Sequence, residues 1–398
     1  MSRATADDPD AGPEYEVRPY EPGDREAFCA LFERVLGGRA SEAWFDWKYR
    51  SNPYVDRVPI LVAETGGEVV GARAFLPLAL RVEGEEYLAF QPCDTVVAPD
   101  HRRRGLFTRM TETALDRYAD AVDCYFNFPN RYSLPGNRKL GWAVVGERST
   151  HYRVQNPAAW LSDAVPAAVP DRLGDAAATA GRRAAESYFA ARKRLASSPS
   201  PLSAALGTAG AAEAEAESGE EIAVRWHGRV PPELLASLAD AGTPRRIHVA
   251  RDERFYRWRF DNPTWTYETV VASADGPAAA LVVGSRTRPD GTRVVQLADV
   301  VPPAGSPERD RALAALLPAV LDEHADADVV LAAGDGLPES LLAAHGFRSD
   351  RRPPLSWVAT PTVQVARPAG DGGDWTLAGR SLADPADWQL ALCARDSH

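Results

Sequence analysis

Hydrophobic and polar positions along the first third of the chain switch between a period of two and a period of three to four, and each switch marks an element. Tyr15-Glu16-Val17-Arg18-Pro19-Tyr20 alternates as a short strand. Residues 22–37 then place Phe28, Leu31, Phe32, Val35 and Leu36 at helical spacing, and residues 41–49 form a second short helix rich in aromatics. Residues 59–64 read as an apolar strand that turns at Gly66-Gly67 into residues 69–75, a hairpin. Strands over 78–82 and 87–98 follow, then a helix from Leu106 to Tyr118 with Met110, Ala114 and Leu115 on its apolar face. Residues 124–128 are strand-like, residues 129–137 turn-rich, and Gly141-Trp142 leads into a final extended stretch over 143–154.

The same landmarks return later in the chain. Trp47-Lys48-Tyr49 precedes Asn52-Pro53, and Trp258-Arg259-Phe260 precedes Asp261-Asn262-Pro263; each is followed by an apolar strand. Each half then reaches a glycine-aromatic pair, Gly141-Trp142 and Gly346-Phe347, after 95 and 89 residues. A repeat of that length predicts two related domains, not a solenoid of short units. The expected organisation is a polar terminus over 1–13, a first domain over 14–155, a linker over 156–221, a second domain over 222–363 and a packing segment over 364–398. Within the linker, residues 171–195 have helical propensity, while residues 197–220 contain few large apolar side chains.

The stretch from Val96 to Leu106 carries the chemistry. A strand ends at Val96-Val97, a basic turn runs His101-Arg102-Arg103-Arg104-Gly105, and a helix begins. Such a turn delivers backbone N–H groups and three guanidinium groups to the positive end of a helix dipole, which suits an anion such as phosphate or pyrophosphate. No GxxxxGK[ST] or GxGxxG string is present.

This segment resembles the acetyl-CoA-binding motif of the GNAT superfamily of N-acetyltransferases: arginine or glutamine, two variable residues, glycine, one variable residue, then glycine or alanine. The match is Arg102-Arg103-Arg104-Gly105-Leu106-Phe107, with Phe107 departing from the small final residue. The order of elements over 14–155 follows the same family. The resemblance implies an α+β fold, here as tandem GNAT-like domains, each a mixed twisted sheet flanked by helices. It also implies acetyl-CoA as cosubstrate, an amine as acceptor, and transfer of the acetyl group between them.

Carried over residue by residue, the resemblance assigns the pyrophosphate to Arg102 through Phe107, and the pantetheine and acetyl carbonyl to the backbone of Val96 and Val97. Asp94 is the candidate base, three positions before Val97, where family members often hold an acid. A carboxylate near its ordinary pKa of about 4 serves only if burial raises it or water relays the proton. The family's tyrosine, five residues before the closing aromatic, falls here on Asn137. That leaves Tyr132 as the candidate acid, with Tyr125 as the other phenol, and Asn130 and Asn137 beside the thiol end of the cofactor. The aromatic stretch Trp44 to Tyr49 could wall the acceptor site, but packing is the favoured reading, because its echo occurs in the half without the motif.

The second half has Val301-Pro302-Pro303-Ala304-Gly305-Ser306-Pro307 where the basic turn would lie. Its prolines remove the amide donors an anion site needs, so this copy is expected to be degenerate and to act as a wall or in recognition. A non-catalytic CoA-binding module, or an enzyme moving aminoacyl or longer acyl groups, is the alternative reading.

Composition narrows the picture. The 398 residues carry a formal charge of −11, which argues against a general nucleic-acid binder and weakly favours a cationic amine. No run of apolar residues is long enough for a bilayer and the opening residues lack a signal-peptide pattern, so a cytoplasmic protein is expected. Cys29, Cys93, Cys124 and Cys393 are widely spaced and the histidines stand singly, which predicts no metal site.

Overall fold

The computed structural model describes residues 14–156 and 222–396, apart from 334, 354, 358, 361 and 371. The expected terminus over 1–13 and the linker beyond Asn156 lie outside the described residues. Those described form two compact units: residues 14–145 with 364–385 and 396, and residues 146–156 with 222–363 and 386–395.

In the first unit, strands β1 (Glu16–Pro19), β2 (Ile60–Thr65), β3 (Glu68–Val82), β4 (Glu85–Val97), β5 (Cys124–Asn127) and β6 (Ala143–Arg148) build a mixed sheet. The 15-residue β3 is buried almost throughout, as a strand covered on both faces must be. Helix α3 (Leu106–Tyr118) covers one face: Tyr118 meets the Phe75 and Phe90 rings, and Met110 lies against Gly71. Helices α1 (Arg25–Leu36) and α2 (Glu42–Phe45) and the π-helical turn Asp46–Arg50 cover the other with a cluster of Phe28, Phe32, Trp44, Phe45 and Tyr49 rings. Gly37 ends α1 at φ +72°, donating its N–H to Glu33.

The second unit contains β7 (Thr150–Val154), β8 (Ala223–His227), the two-residue β9 (His248–Val249), β10 (Thr266–Ser273), β11 (Pro277–Thr287), β12 (Arg293–Val301), β13 (Val329–Ala333) and β14 (Arg348–Ser349). Its sheet runs β8-β10-β11-β12-β13-β7-β14, against β1-β2-β3-β4-β5-β15-β6 in the first, where β15 is Thr362–Pro368. Position by position the two sheets correspond, including the one parallel neighbour pair in each for which a register is resolved, β4 with β5 and β12 with β13. Helix Pro307–Glu323 packs Leu313, Leu316, Leu317 and Val320 into the second core as α3 serves the first. Even the landmark asparagines act alike: Asn52 accepts the N–H of Tyr54, and Asn262 that of Thr264.

One exchange was invisible in the sequence. Strand β7, expected to finish the first domain, pairs with β13 in the second sheet. Strand β15, expected at the start of a terminal packing segment, pairs with β5 inside the first. Each repeat therefore supplies the strand at the sixth position of the other's sheet. No helix among the described residues is long and apolar enough to cross a membrane.

Candidate active site

The basic turn folds into a left-handed bend at the start of α3. A short 3-10 turn Pro99–His101 leaves β4, Arg103 and Gly105 both adopt left-handed backbone at φ +61° and +77°, and α3 begins at Leu106. The step from left-handed Gly105 to helical Leu106 turns successive N–H groups to one side. A side chain built on Gly105 would meet nothing within 4 Å, so the ground above the turn is open. Arg102 is held down by its Nε on the Val97 carbonyl at 3.1 Å, while Arg103 and Arg104 are exposed.

Behind the turn the sheet opens. Strands β4 and β5 pair only at Ala89 with Cys124 and Phe90 with Tyr125; in the second unit the equivalent pairing runs from Val294 to Leu297, two residues further. Pro92 lies in the diverging part of β4 and has no N–H to offer a neighbour. A cavity of about 230 Å³ occupies the gap, lined by residues 91–95 of β4 and by Arg73, Asn127, Asn130, Asn137 and Asp396 among others. It is well below the several hundred Å³ of a site enclosing a whole drug-sized ligand and suits the reacting end of a long one.

Asp94 sits at a bulge: the register with β3 slips between Ala72 and Ala74, and Asp94 takes φ +42°. The bulge aims its carboxylate toward the face covered by α1. There Lys48 Nζ lies 2.7 Å from Asp94 Oδ2, the Tyr49 hydroxyl donates to the same oxygen, and Asp396 Oδ1 is 2.7 Å from Lys48 on its other side. Burial works against the Lys48 ammonium, but the Asp396 and Asp94 carboxylates outweigh it and hold its proton above the ordinary lysine range. Burial, with Asp94 next, raises the Tyr49 phenol well above its usual value. Cys93, Asp94 and Asp396 bring three possible metal-binding atoms within 4.8 Å of one another. Lys48 already supplies the positive charge between the two carboxylates.

The second unit repeats this arrangement, and there Tyr256 lines a separate cavity of about 510 Å³ with His227, Glu233, Phe260 and Asp261 among others. Asp299 on β12 is fully buried, accepts the Tyr256 hydroxyl at 3.0 Å and pairs with Arg251 Nε at 3.0 Å. Arg309 fills the place where β12 and β13 part: its Nε donates to the Pro302 carbonyl at 2.6 Å and its Nη2 to that of Gly336. A buried Asp–Tyr–cation group is therefore part of the scaffold in both repeats; in the first the aspartate lines a cavity, in the second the tyrosine does.

The expected site residues divide accordingly. Asp94, Asn130 and Asn137 line the cavity. Asn130 accepts the N–H groups of Tyr132 and Ser133 and so shapes the loop before α4 (Leu134–Lys139); Asn137 is buried, with neither side-chain amide atom bonded. Val96 and Leu106 point into the core. Ala98 donates to Val70 on β3, so by alternation the Val96 backbone also faces β3 and only Val97 turns its N–H toward the open side. Phe107 wedges between the helices, its ring 2.6 Å from where a side chain on Gly136 of α4 would begin.

Tyr132 departs from expectation. It is 74 % exposed, its hydroxyl takes a bond from Arg131, and it is not among the cavity residues, because Asn130 turns the chain outward at that point. Tyr125 is buried against Phe75, Phe90 and Trp142, and burial raises its phenol above the ordinary value. Arg73, Gln91 and Asp396, which the sequence reading did not single out, also line the cavity, and Lys48 and Tyr49, read mainly as packing, hold the Asp94 carboxylate. Lys48 had one sequence signal, a rare lysine inside an aromatic run; Asp396 had none, since it reaches the site from the far end of the chain.

Residues 16–145 match the family model described as Acetyltransferase (GNAT) domain. No curated protein matches the chain. Among solved structures, a GCN5-related N-acetyltransferase from Kribbella flavida is similar at 17% identity and a TM-score of 0.53, over 89% of this chain and 71% of that one. A GCN5-related N-acetyltransferase from Anabaena variabilis is similar at 11% and 0.54, over 90% and 73%. A conserved protein from Enterococcus faecalis, named a probable N-acyltransferase, is similar at 9% and 0.56, over 89% and 73%. At such identities the likeness is one of fold. The chain carries a GNAT-superfamily acyltransferase fold, duplicated into two mixed-sheet units.

Proposed function

We propose that this protein is an N-acyltransferase whose first unit binds acetyl-CoA and passes the acetyl group to an amine, and whose second unit binds no cofactor. One observation carries the reading: the parting of β4 from β5 opens a cavity beside Asp94, behind the αL turn at Gly105. The residues fit the donor. The cradle of Arg103, Arg104 and Gly105 takes pyrophosphate, and the Val97 N–H and the unbonded Asn137 amide offer partners to pantetheine.

In this scheme the acceptor nitrogen attacks the thioester carbonyl, a C–N bond forms and the C–S bond breaks. Asp94, steadied by Lys48 and Tyr49, takes the proton lost by nitrogen, directly or through water. The thiolate, conjugate base of a thiol with pKa about 8.5, leaves without an acid beside it and takes its proton from solvent. Tyr132 has no step.

The test combines calorimetry with acetyl-CoA and a thiol-release screen over small amines, polyamines, aminoglycosides and peptide N-termini. One site per chain and release of thiol with at least one amine are expected. Two equal sites, or no binding, would overturn the scheme; binding without release from any acceptor would leave a CoA-binding module.

A further inference from the structure

Arg73 is the one strongly charged side chain of the cavity for which the fold gives no reason. It is 2 % exposed and lies on the face of β3 that α3 covers, with its guanidinium 4.8 Å from the Phe107 ring centre and 5.7 Å from that of Phe75. Nη1 donates to the Thr95 hydroxyl at 2.9 Å, while Nε and Nη2 have no hydrogen-bond partner. Burial pulls its pKa down to about 10, and the groups that oppose this are Cys93 and Tyr125, not a carboxylate. A buried cation left so is costly, whereas Arg251 is met by the Asp299 carboxylate and Arg309 by the Pro302 carbonyl.

The second unit shows what the scaffold itself requires there. Ala72 pairs with Val96 as Ala280 pairs with Val301, which puts Leu281 and Val300 at the places of Arg73 and Thr95. Both are buried and apolar. The sheet is thus complete with leucine and valine, and in the first unit the polar pair lines the cavity beside Asp94.

We propose that Arg73 binds a carboxylate carried by a reactant, Nε and Nη2 donating side by side to its two oxygens. These two N–H groups lie along one edge of the guanidinium, the geometry of a bidentate carboxylate pair. The Asn137 amide, also buried and unbonded in the same cavity, offers the next donor. The inference rests on the acyl-transfer reading and narrows it. Either the acyl group is that of a dicarboxylic acid, or the acceptor is an amino acid.

Two arms separate these sources. Wild type and Arg73→Leu are titrated calorimetrically with succinyl-CoA and acetyl-CoA, and with L-leucine and its decarboxylated counterpart isoamylamine in the absence of donor; thiol release is then followed for the same pairs. On one arm the wild type should favour the carboxylate-bearing compound by about ten-fold or more, since a built site rejects the analogue that leaves it unpaired. Arg73→Leu should lose that preference, keep the neutral compound and melt at the same temperature or higher, because it copies Leu281. No preference on either arm, or a preference that survives in Arg73→Leu, would overturn the assignment. Turnover of acetyl-CoA with isoamylamine by both proteins, without any preference, would do so while leaving acyl transfer standing. Failure of both CoA esters to bind would instead defeat the acyl-transfer reading, and the L-leucine titration would still decide Arg73.

Discussion

Lys48 lies 2.7 Å from Asp94 in an ion pair whose two side chains are 1% and 0% exposed. Removing one partner of such a pair leaves a naked buried charge. Lys48→Met should therefore destabilise the protein by about 3–5 kcal/mol, read from urea unfolding followed by tryptophan fluorescence. Adding Asp94→Asn to it should cost less than the two single changes together, because the second substitution removes the charge the first had stranded.

The paired aspartates make a sharper test of role. Asp94→Asn and Asp299→Asn each weaken a buried Asp–Tyr–cation group, so both should lower the unfolding midpoint. Turnover should fall roughly 10²-fold in Asp94→Asn alone, the usual worth of general acid–base assistance. Equal activity in the two variants would reduce Asp94 to a scaffold residue.

Gly105 holds φ +77° with empty space above it, so Gly105→Ala meets no clash and acts through backbone strain, about 1–2 kcal/mol. The strain falls on the anion cradle. Acetyl-CoA should bind about ten-fold more weakly, and Arg103→Ala similarly, a change worth about 1.4 kcal/mol. Both variants should keep the wild-type circular dichroism spectrum.

His151 in β7 supplies the pH dependence. Burial lowers its pKa below 6.5, although Glu339 at 3.9 Å and Asp350 pull the other way. The unfolded chain then takes up the proton first on acidification, so the stability tied to the neutral ring is complete above about pH 6.5 and declines as the pH falls below it. Thermal melts of wild type and His151→Gln between pH 7.5 and 5 should show the shallower slope in the variant.

Much of the first unit was legible in the chain. Hydrophobic period marked β2, β3, β4 and α3, the arginine run ending in Gly105 marked the turn before α3, and the Trp…Asn-Pro and Gly-aromatic echoes announced a second unit. These are local signals: spacing sets the buried face, and a glycine stands where the backbone must turn left-handed.

Partnership was decided only by the tertiary structure. A strand's period says which side it buries and nothing about which strand lies beside it, so β7 and β15 could be found but not placed in each other's sheets. The same holds for the charged groups. Lys48 looked like part of an aromatic packing run, Arg73 like one arginine among many, and Asp396 like a terminal residue. What brought them together was the bulge at Asp94 and the parting of β4 from β5: two carboxylates 302 positions apart, Asp94 and Asp396, meet on the Lys48 ammonium, and a guanidinium is left without an acid. Sequence alone determined what each segment would become, because propensity and pattern act over a few residues. The packing of those segments determined what they could do together, because burial and charge act across space.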